Sequence, residues 1–224
     1  ELYHPDSDFA KMRDYDTEVG FVDHHIGRLI KRLEKDGLFD RAIVVFMSDH
    51  GESFGEHDEY GHGRKLFNST LHVPLMVKFP ASERAGSKLH HEVSLEDVTP
   101  TLLGLLGMDH PEWVIGHDLF IPEENRVLFS EAYKGAVHFR RGRYYHHKVE
   151  PIGYAMVQRG EKLMLTPRNH RFRFFNWVND PFEKSNLYLK RRAGLEEWKR
   201  LLDGYVRRVE EYLRISKQFV RDPG

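Results

Sequence analysis

Apolar residues recur at steps of three and four over residues 16–36. Val19, Val22, Ile26, Leu29, Ile30 and Leu33 share one side of a helical wheel, which predicts an amphipathic helix. Gly37 stands where a C-terminal cap belongs. The pattern then changes. Residues 42–47 (Ala-Ile-Val-Val-Phe-Met) form a continuous apolar run, and 73–77 (Val-Pro-Leu-Met-Val) form another. Unalternating runs of this length predict strands buried on both faces, the texture of a parallel sheet. Between them lies a loop rich in Gly, His and acid, residues 48–72. A helix over about 95–107 follows. Ser94 and Asp97 have capping-box spacing, and Leu102, Leu103, Leu105 and Leu106 supply its apolar face. Strand, long polar loop, strand, helix is an α/β order. In open α/β sheets ligands bind beyond the carboxyl ends of the strands, so the 48–72 loop is where chemistry is expected.

The texture shifts near residues 122–125. Short aromatic and β-branched segments over 127–133, 136–149, 154–158, 162–166 and 171–178 are separated by Gly, Pro or Asn. They predict an antiparallel meander. Leu195, Trp198, Leu201, Leu202, Tyr205, Val206, Val209, Tyr212 and Leu213 mark a closing amphipathic helix. Two parts are therefore expected, 1–124 and 125–224.

Composition narrows the function classes. The 224 residues carry 34 Lys and Arg against 35 Asp and Glu. This balance argues against a polybasic nucleic-acid binder and against an acidic disordered tail. No apolar run approaches the roughly 20 residues of a membrane span. Cysteine is absent, so the chain holds no disulfide, thiolate metal site or cysteine nucleophile. Charge is unevenly spread: residues 1–60 hold 15 acidic and 7 basic residues, and residues 140–173 hold 9 basic and 2 acidic. The basic stretch is either a solvated sheet face or a surface that attracts an anionic substrate. A start at Glu1, without Met and close to the first helix, is what a piece of a longer or processed chain would show.

Candidate chemistry concentrates in residues 48–63, Ser-Asp-His-Gly-Glu-Ser-Phe-Gly-Glu-His-Asp-Glu-Tyr-Gly-His-Gly. Asp49 and His50 directly follow an apolar strand. A carboxylate and an imidazole there form a plausible half of a divalent-metal site. Gly51 permits the turn and the close backbone approach that this needs. His57 and His62 lie further along the loop, and either could protonate a leaving oxygen or donate to an anion. The same carboxylates and histidines could also act as general acids and bases without metal.

Four motifs, in one order, resemble the sulfatase family of the alkaline phosphatase superfamily. They are the helix Tyr15-Asp16-Thr17-Glu18-Val19 through Ile26-Gly27-Arg28-Leu29; Ser48-Asp49-His50-Gly51-Glu52 with Gly61-His62-Gly63 and Leu71-His72-Val73-Pro74-Leu75; Asp97-Val98-Thr99-Pro100-Thr101-Leu102-Leu103-Gly104; and Asp180-Pro181-Phe182-Glu183-Lys184-Ser185-Asn186-Leu187. The resemblance implies a partial alkaline-phosphatase-like α/β sandwich over 1–124. A small antiparallel sheet with a C-terminal helix then occupies 125–224. It implies hydrolysis of sulfate monoesters, with one divalent metal, usually calcium, and a formylglycine made from Cys or Ser. Carried over by position, Asp49 and His50 become metal ligands, His62 the substrate-contacting catalytic residue, His57 a weaker catalytic candidate and Lys65 a substrate-binding candidate. Many members have Asn in place of His50. The Asp-His version occurs in relatives that cleave phosphonate monoesters or phosphodiesters, often with manganese.

One departure is large. The family's nucleophile motif and its adjacent pair of metal-binding aspartates have no counterpart in this chain. The leading expectation is thus the C-terminal portion of a sulfatase-type hydrolase acting on an anionic small molecule or glycan. The alternatives are a phosphonate or phosphodiester hydrolase, and a non-catalytic half-domain that binds anionic glycans through the basic meander. No nucleic-acid partner is expected.

Overall fold

The structure is a computed structural model and describes residues 14–133, 137–140, 143–146 and 150–221. In chain order its elements are α1 (Asp14–Lys35), β1 (Val44–Met47), β2 (Ser53–Phe54), β3 (Tyr60–Gly61), α2 (Asn68–Leu71), β4 (Leu75–Lys78) and α3 (Val98–Leu105). Then come β5 (Leu128–Tyr133), β6 (Val137–Arg140), β7 (Arg143–His146), β8 (Pro151–Gln158), β9 (Glu161–Thr166), β10 (Arg171–Asn176), α4 (Tyr188–Arg191) and α5 (Glu196–Arg221). Of the expected 136–149 segment, residues 136, 141–142 and 147–149 lie outside the described residues.

The described chain forms two compact units. The first runs through Met47 and resumes over Pro74–Lys88. In it α1 ends as the sequence predicts. Gly37 takes a positive φ of 65°, its N–H donates to the Glu34 carbonyl, and Leu38 N–H donates to the Leu33 carbonyl. A left-handed residue here satisfies carbonyls that the helix end would leave open. Lys78 closes the connection to β1, its ammonium over the Phe39 ring at 4.5 Å and donating to the carbonyls of Phe39 and Ala42.

Two expectations fail in this unit. β1 and β4 pair antiparallel, Val44 opposite Lys78 and Met47 opposite Leu75, not parallel. Neither strand is buried on both faces, since Phe46, Met47 and Met76 are exposed. An apolar run does not say which of its faces the fold covers, and it carries no information on strand direction.

The second unit comprises Ser48–Val73 and the chain from Leu89 on. Its centre is a four-stranded antiparallel sheet in the order β10-β9-β8-β5. The predicted meander holds for β8, β9 and β10. β5 returns to pair with β8, and the separate β6–β7 hairpin lies between them in sequence. Side chains alternate across the pleat, so the sheet has two covered faces. Tyr154, Met156, Leu163, Leu165, Phe172 and Phe174 pack under α5 with Leu195, Leu202 and Trp198. Ala132, Ala155, Met164 and Phe175 form the opposite face and pack against Leu66 and Phe67. Each large side chain buried here contributes about 1.5–3 kcal/mol. The second face is the floor on which the 48–72 loop rests.

Before α3, Ser94 and Asp97 make the predicted capping box. Asp97 does more than cap. Its carboxylate also accepts from His117 N–H at 2.8 Å and from both terminal nitrogens of Arg126, at 2.7 and 2.5 Å. Burial works to raise this carboxyl, but the bonds from Arg126, His117 and Ser94 outweigh it and hold it below its ordinary value. The helix buries Val98, Pro100 and Thr101, whereas Leu105 and Leu106 of the expected apolar face are exposed.

Candidate functional site

Ser48 begins the second unit directly after β1, and Asp49 and His50 follow it. Two backbone constraints set their geometry. The N–H of Gly51 donates to the Thr70 carbonyl at 2.9 Å, which ties the turn to α2. A Cβ placed on Gly51 would meet the Ser69 carbonyl oxygen at 2.1 Å, so only glycine lets the two segments approach this closely. The Ser53 and Ser69 hydroxyls bond at 2.8 Å and repeat the tie one step further on.

Asp49 is 87% exposed, and its Oδ1 accepts from the N–H of His50 at 3.0 Å. Its Oδ2 lies 3.7 Å from His50 Nε2. His50 Nδ1 lies 2.9 Å from the Gly51 carbonyl. A carbonyl can only accept, so Nδ1 carries the hydrogen, and in the neutral ring Nε2 keeps its lone pair on the Asp49 side. That tautomer is the one a metal ligand needs. A divalent ion sits about 2.0–2.6 Å from such donors, and a separation near 3.7 Å suits two ligands of one ion. The pair fits as part of a coordination shell and not as a whole one. Among the described residues no group of three His, Cys, Asp or Glu side chains is placed to hold a metal ion by itself.

His62 comes to the same place from ten residues away. Its ring stacks on that of His50, with centroids 3.9 Å apart and planes at 28°. Its Nδ1 donates to Glu52 Oε2 at 3.0 Å. This bond aims the ring and leaves Nε2 free, as a lone pair in the neutral ring and as a hydrogen-bond donor only in the imidazolium form.

His57 and Lys65 are placed differently. The His57 ring lies flat on Phe67, centroids 3.6 Å apart, and its Nε2 donates to the Phe182 carbonyl at 3.0 Å. The backbone of His57 and Asp58 is left-handed, with φ of 55° and 56°. Such conformations are uncommon and costly for non-glycine residues. Lys65 holds them there. Its ammonium donates to the carbonyls of His57 and Asp58 and lies 3.6 Å from the Glu59 carboxylate. The structure therefore brings Asp49, His50 and His62 together, and engages His57 and Lys65 in forming the loop.

The sequence reading assigned no role to Glu52, although it stands inside the Ser-Asp-His-Gly-Glu motif. It also missed a buried cluster beneath α2. Lys162 of β9 and Glu183 are each 1% exposed, with Nζ and Oε1 2.7 Å apart. Glu183 Oε2 accepts from the Asn68 N–H at 2.7 Å, and Lys162 Nζ donates to Asn68 Oδ1 at 2.6 Å and to the Leu66 carbonyl at 3.2 Å. Burial lowers the affinity of Lys162 for its proton, against the pull of Glu183 beside it. The signal for Glu183 was its place in the Asp-Pro-Phe-Glu motif. Lys162 had only its position in a strand whose other residues are apolar.

Comparison with known proteins bears on family and fold. The sequence profile of the Sulfatase family matches residues 3–108. The chain is 31% identical over 169 residues to an N-acetylglucosamine-6-O-sulfatase of Bacteroides thetaiotaomicron, covering 75% of this chain and 28% of that protein. A solved protein in complex with its substrate D-glucosamine-2-N,6-O-disulfate superposes with a TM-score of 0.69 at 25% identity. That match covers 91% of this chain and 41% of that one. A phosphonate monoester hydrolase of Agrobacterium radiobacter shares the fold, with a TM-score of 0.60 at 20% identity over 90% of this chain and 40% of that one. The chain spans 28%, 34% and 38% of the length of three curated sulfatases that it matches. The α/β fold class expected from the sequence is that of these neighbours. This chain belongs to the sulfatase family of the alkaline phosphatase superfamily.

Proposed function

We propose that this chain supplies part of the active site of a metal-dependent sulfuric ester hydrolase. Residues 1–124 would form the C-terminal half of its α/β domain, and 125–224 the sheet-and-helix part. The observation that carries the reading is the Asp49–His50 pair, with a carboxylate oxygen and an imidazole lone pair 3.7 Å apart and His62 stacked against it. Asp49 and His50 would hold one divalent ion, calcium by family habit and manganese as the alternative. Such an ion, when bound, offsets charge on the transferred oxyanion. His62, aimed by Glu52 through Nδ1–H, would donate from Nε2 in its imidazolium form to the substrate or its leaving oxygen. Lys65 and His57 act by shaping the loop. The formylglycine nucleophile and the remaining metal donors would come from protein outside these 224 residues. The glucosamine disulfate bound by one structural neighbour supports a sulfated sugar or related anionic glycan as the substrate class.

His50 supports a second reading. Its Asp-His pairing occurs in phosphonate monoester and phosphodiester hydrolases of the superfamily, and one such enzyme shares the fold. Paired assays of the complete enzyme on p-nitrophenyl sulfate and p-nitrophenyl phenylphosphonate decide between the two. A kcat/KM at least about 100-fold higher on the sulfate supports the sulfatase reading, and the reverse ratio supports the phosphonate reading. Salt-sensitive binding of a sulfated glycan without turnover of either ester would overturn both and leave a binding module.

A further inference from the structure

Among the described residues the buried Lys162–Glu183 pair makes no hydrogen bond or ion pair with Asp49, His50 or His62. Its partners lie in one short segment. Glu183 accepts the backbone N–H of Asn68, and Lys162 donates to the Asn68 side chain and the Leu66 carbonyl. Asn68 Nδ2 also reaches the Pro181 carbonyl at 3.4 Å. Asn68 is thus gripped through its backbone and through both ends of its amide. It opens α2, whose Thr70 carbonyl receives the Gly51 N–H and whose Ser69 carbonyl occupies the space where a Gly51 Cβ would go. A continuous chain of contacts runs from Glu183 through Asn68 and Thr70 to Gly51, the residue after His50.

A buried ion pair is a weak way to gain stability, since desolvation offsets most of the attraction. Ordinary apolar side chains could fill the same space between β9 and α2. What apolar side chains cannot do is fix a backbone N–H and a side-chain amide to within a few tenths of an ångström.

We propose that Lys162 and Glu183 are positioning residues that set the Asp49–His50 pair by locking Asn68 and, through it, the α2 backbone against Gly51. The proposal rests on the reading of Asp49 and His50 as metal donors for its functional meaning. Its structural content is testable without metal.

The test compares Lys162→Met, Glu183→Gln and the double variant Lys162→Met/Glu183→Leu with the parent chain. Each single change strands a buried partner and lowers Tm by roughly 10 °C. The double variant restores most of that loss with apolar packing. The deciding readout is hydrogen exchange of the Gly51 amide relative to the β8–β9 ladder amides, measured with no metal added. Positioning predicts that Gly51 exchanges at least about tenfold faster in the double variant while the ladder is unchanged. A double variant with parental Tm and parental Gly51 protection would overturn the proposal. If the double variant fails to fold, Asn68→Ala and Glu183→Gln decide in its place: the first removes the side-chain bonds to Lys162 and Pro181, the second weakens the acceptor of the Asn68 N–H, and parental Gly51 protection in both overturns the proposal. Failure of the metal reading is separable. Mn²⁺ affinity that survives Asp49→Asn would remove the metal donors and leave the exchange result standing.

Discussion

The imidazole of His62 lies face to face with that of His50, ring centroids 3.9 Å apart, while its Nδ1 is held 3.0 Å from the Glu52 carboxylate. The stack and the bond together fix the direction of Nε2. His62→Ala in the complete enzyme is therefore expected to lower kcat about 10²–10⁴-fold, the range for a lost general acid or base. His62 is half exposed and contributes little to the core, so Tm should stay within a few degrees. Unchanged turnover would remove His62 from the site.

Among the described residues the Asp49 carboxylate meets only His50, and it is otherwise open to solvent. Its substitution should cost binding and not folding. Asp49→Asn is expected to weaken divalent-metal affinity by about tenfold or more, because hard cations depend on ligand charge. Chelation should abolish turnover of the complete enzyme, and added calcium or manganese should restore it. Turnover that persists after exhaustive chelation would refute the metal assignment and favour acid–base catalysis by the carboxylates and histidines alone.

Gly51→Ala puts a methyl group on the Ser69 carbonyl, and neither backbone can retreat without breaking the Gly51–Thr70 bond. The expected loss is about 1–3 kcal/mol, as for other overpacked sites. Chemical denaturation measures it. The same variant should weaken metal binding, which separates it from a core variant such as Leu202→Ala that destabilises the sheet under α5 and leaves the site loop alone.

Asp97 supplies the pH prediction. Its folded carboxyl is held below its ordinary value, so its stabilising contribution is present above the unfolded value near pH 4 and lost as pH falls toward the depressed folded value. Unfolding monitored from pH 6 to pH 2 should show this loss. Asp97→Ala removes the partner of the largely covered Arg126 guanidinium and should cost about 3 kcal/mol at neutral pH, with a flatter acid limb. An acid limb identical to the parent would contradict the assignment.

Much of this was legible in the chain itself. Periodicity placed α1, α5 and the meander strands, because helix and strand periods are local properties that survive any tertiary arrangement. Gly37 and the Ser94–Asp97 box marked helix ends for the same reason. The Asp-His-Gly motif marked the candidate loop, since a carboxylate and an imidazole adjacent in sequence must be near each other in space.

Other relationships depend on residues far apart in sequence, and no local pattern encodes them. The antiparallel pairing of β1 with β4 and the return of β5 to β8 are choices of partner and direction that apolar runs leave open. The meeting of His50 with His62, and of Glu52 with His62, depends on how the 48–72 loop folds back. Lys65 was a cation available for substrate in the sequence, and in the fold it closes a left-handed turn. Lys162 was one residue of a basic stretch, and in the fold it is buried against Glu183, where both charges need partners because water cannot reach them. Thus the sequence alone determined the elements and the chemical inventory of the site, through short-range periodicity and adjacency. Only the tertiary structure decided which of those groups stand exposed beside one another and which hold the loop, because burial and hydrogen-bond satisfaction are settled by contacts made across the whole second unit.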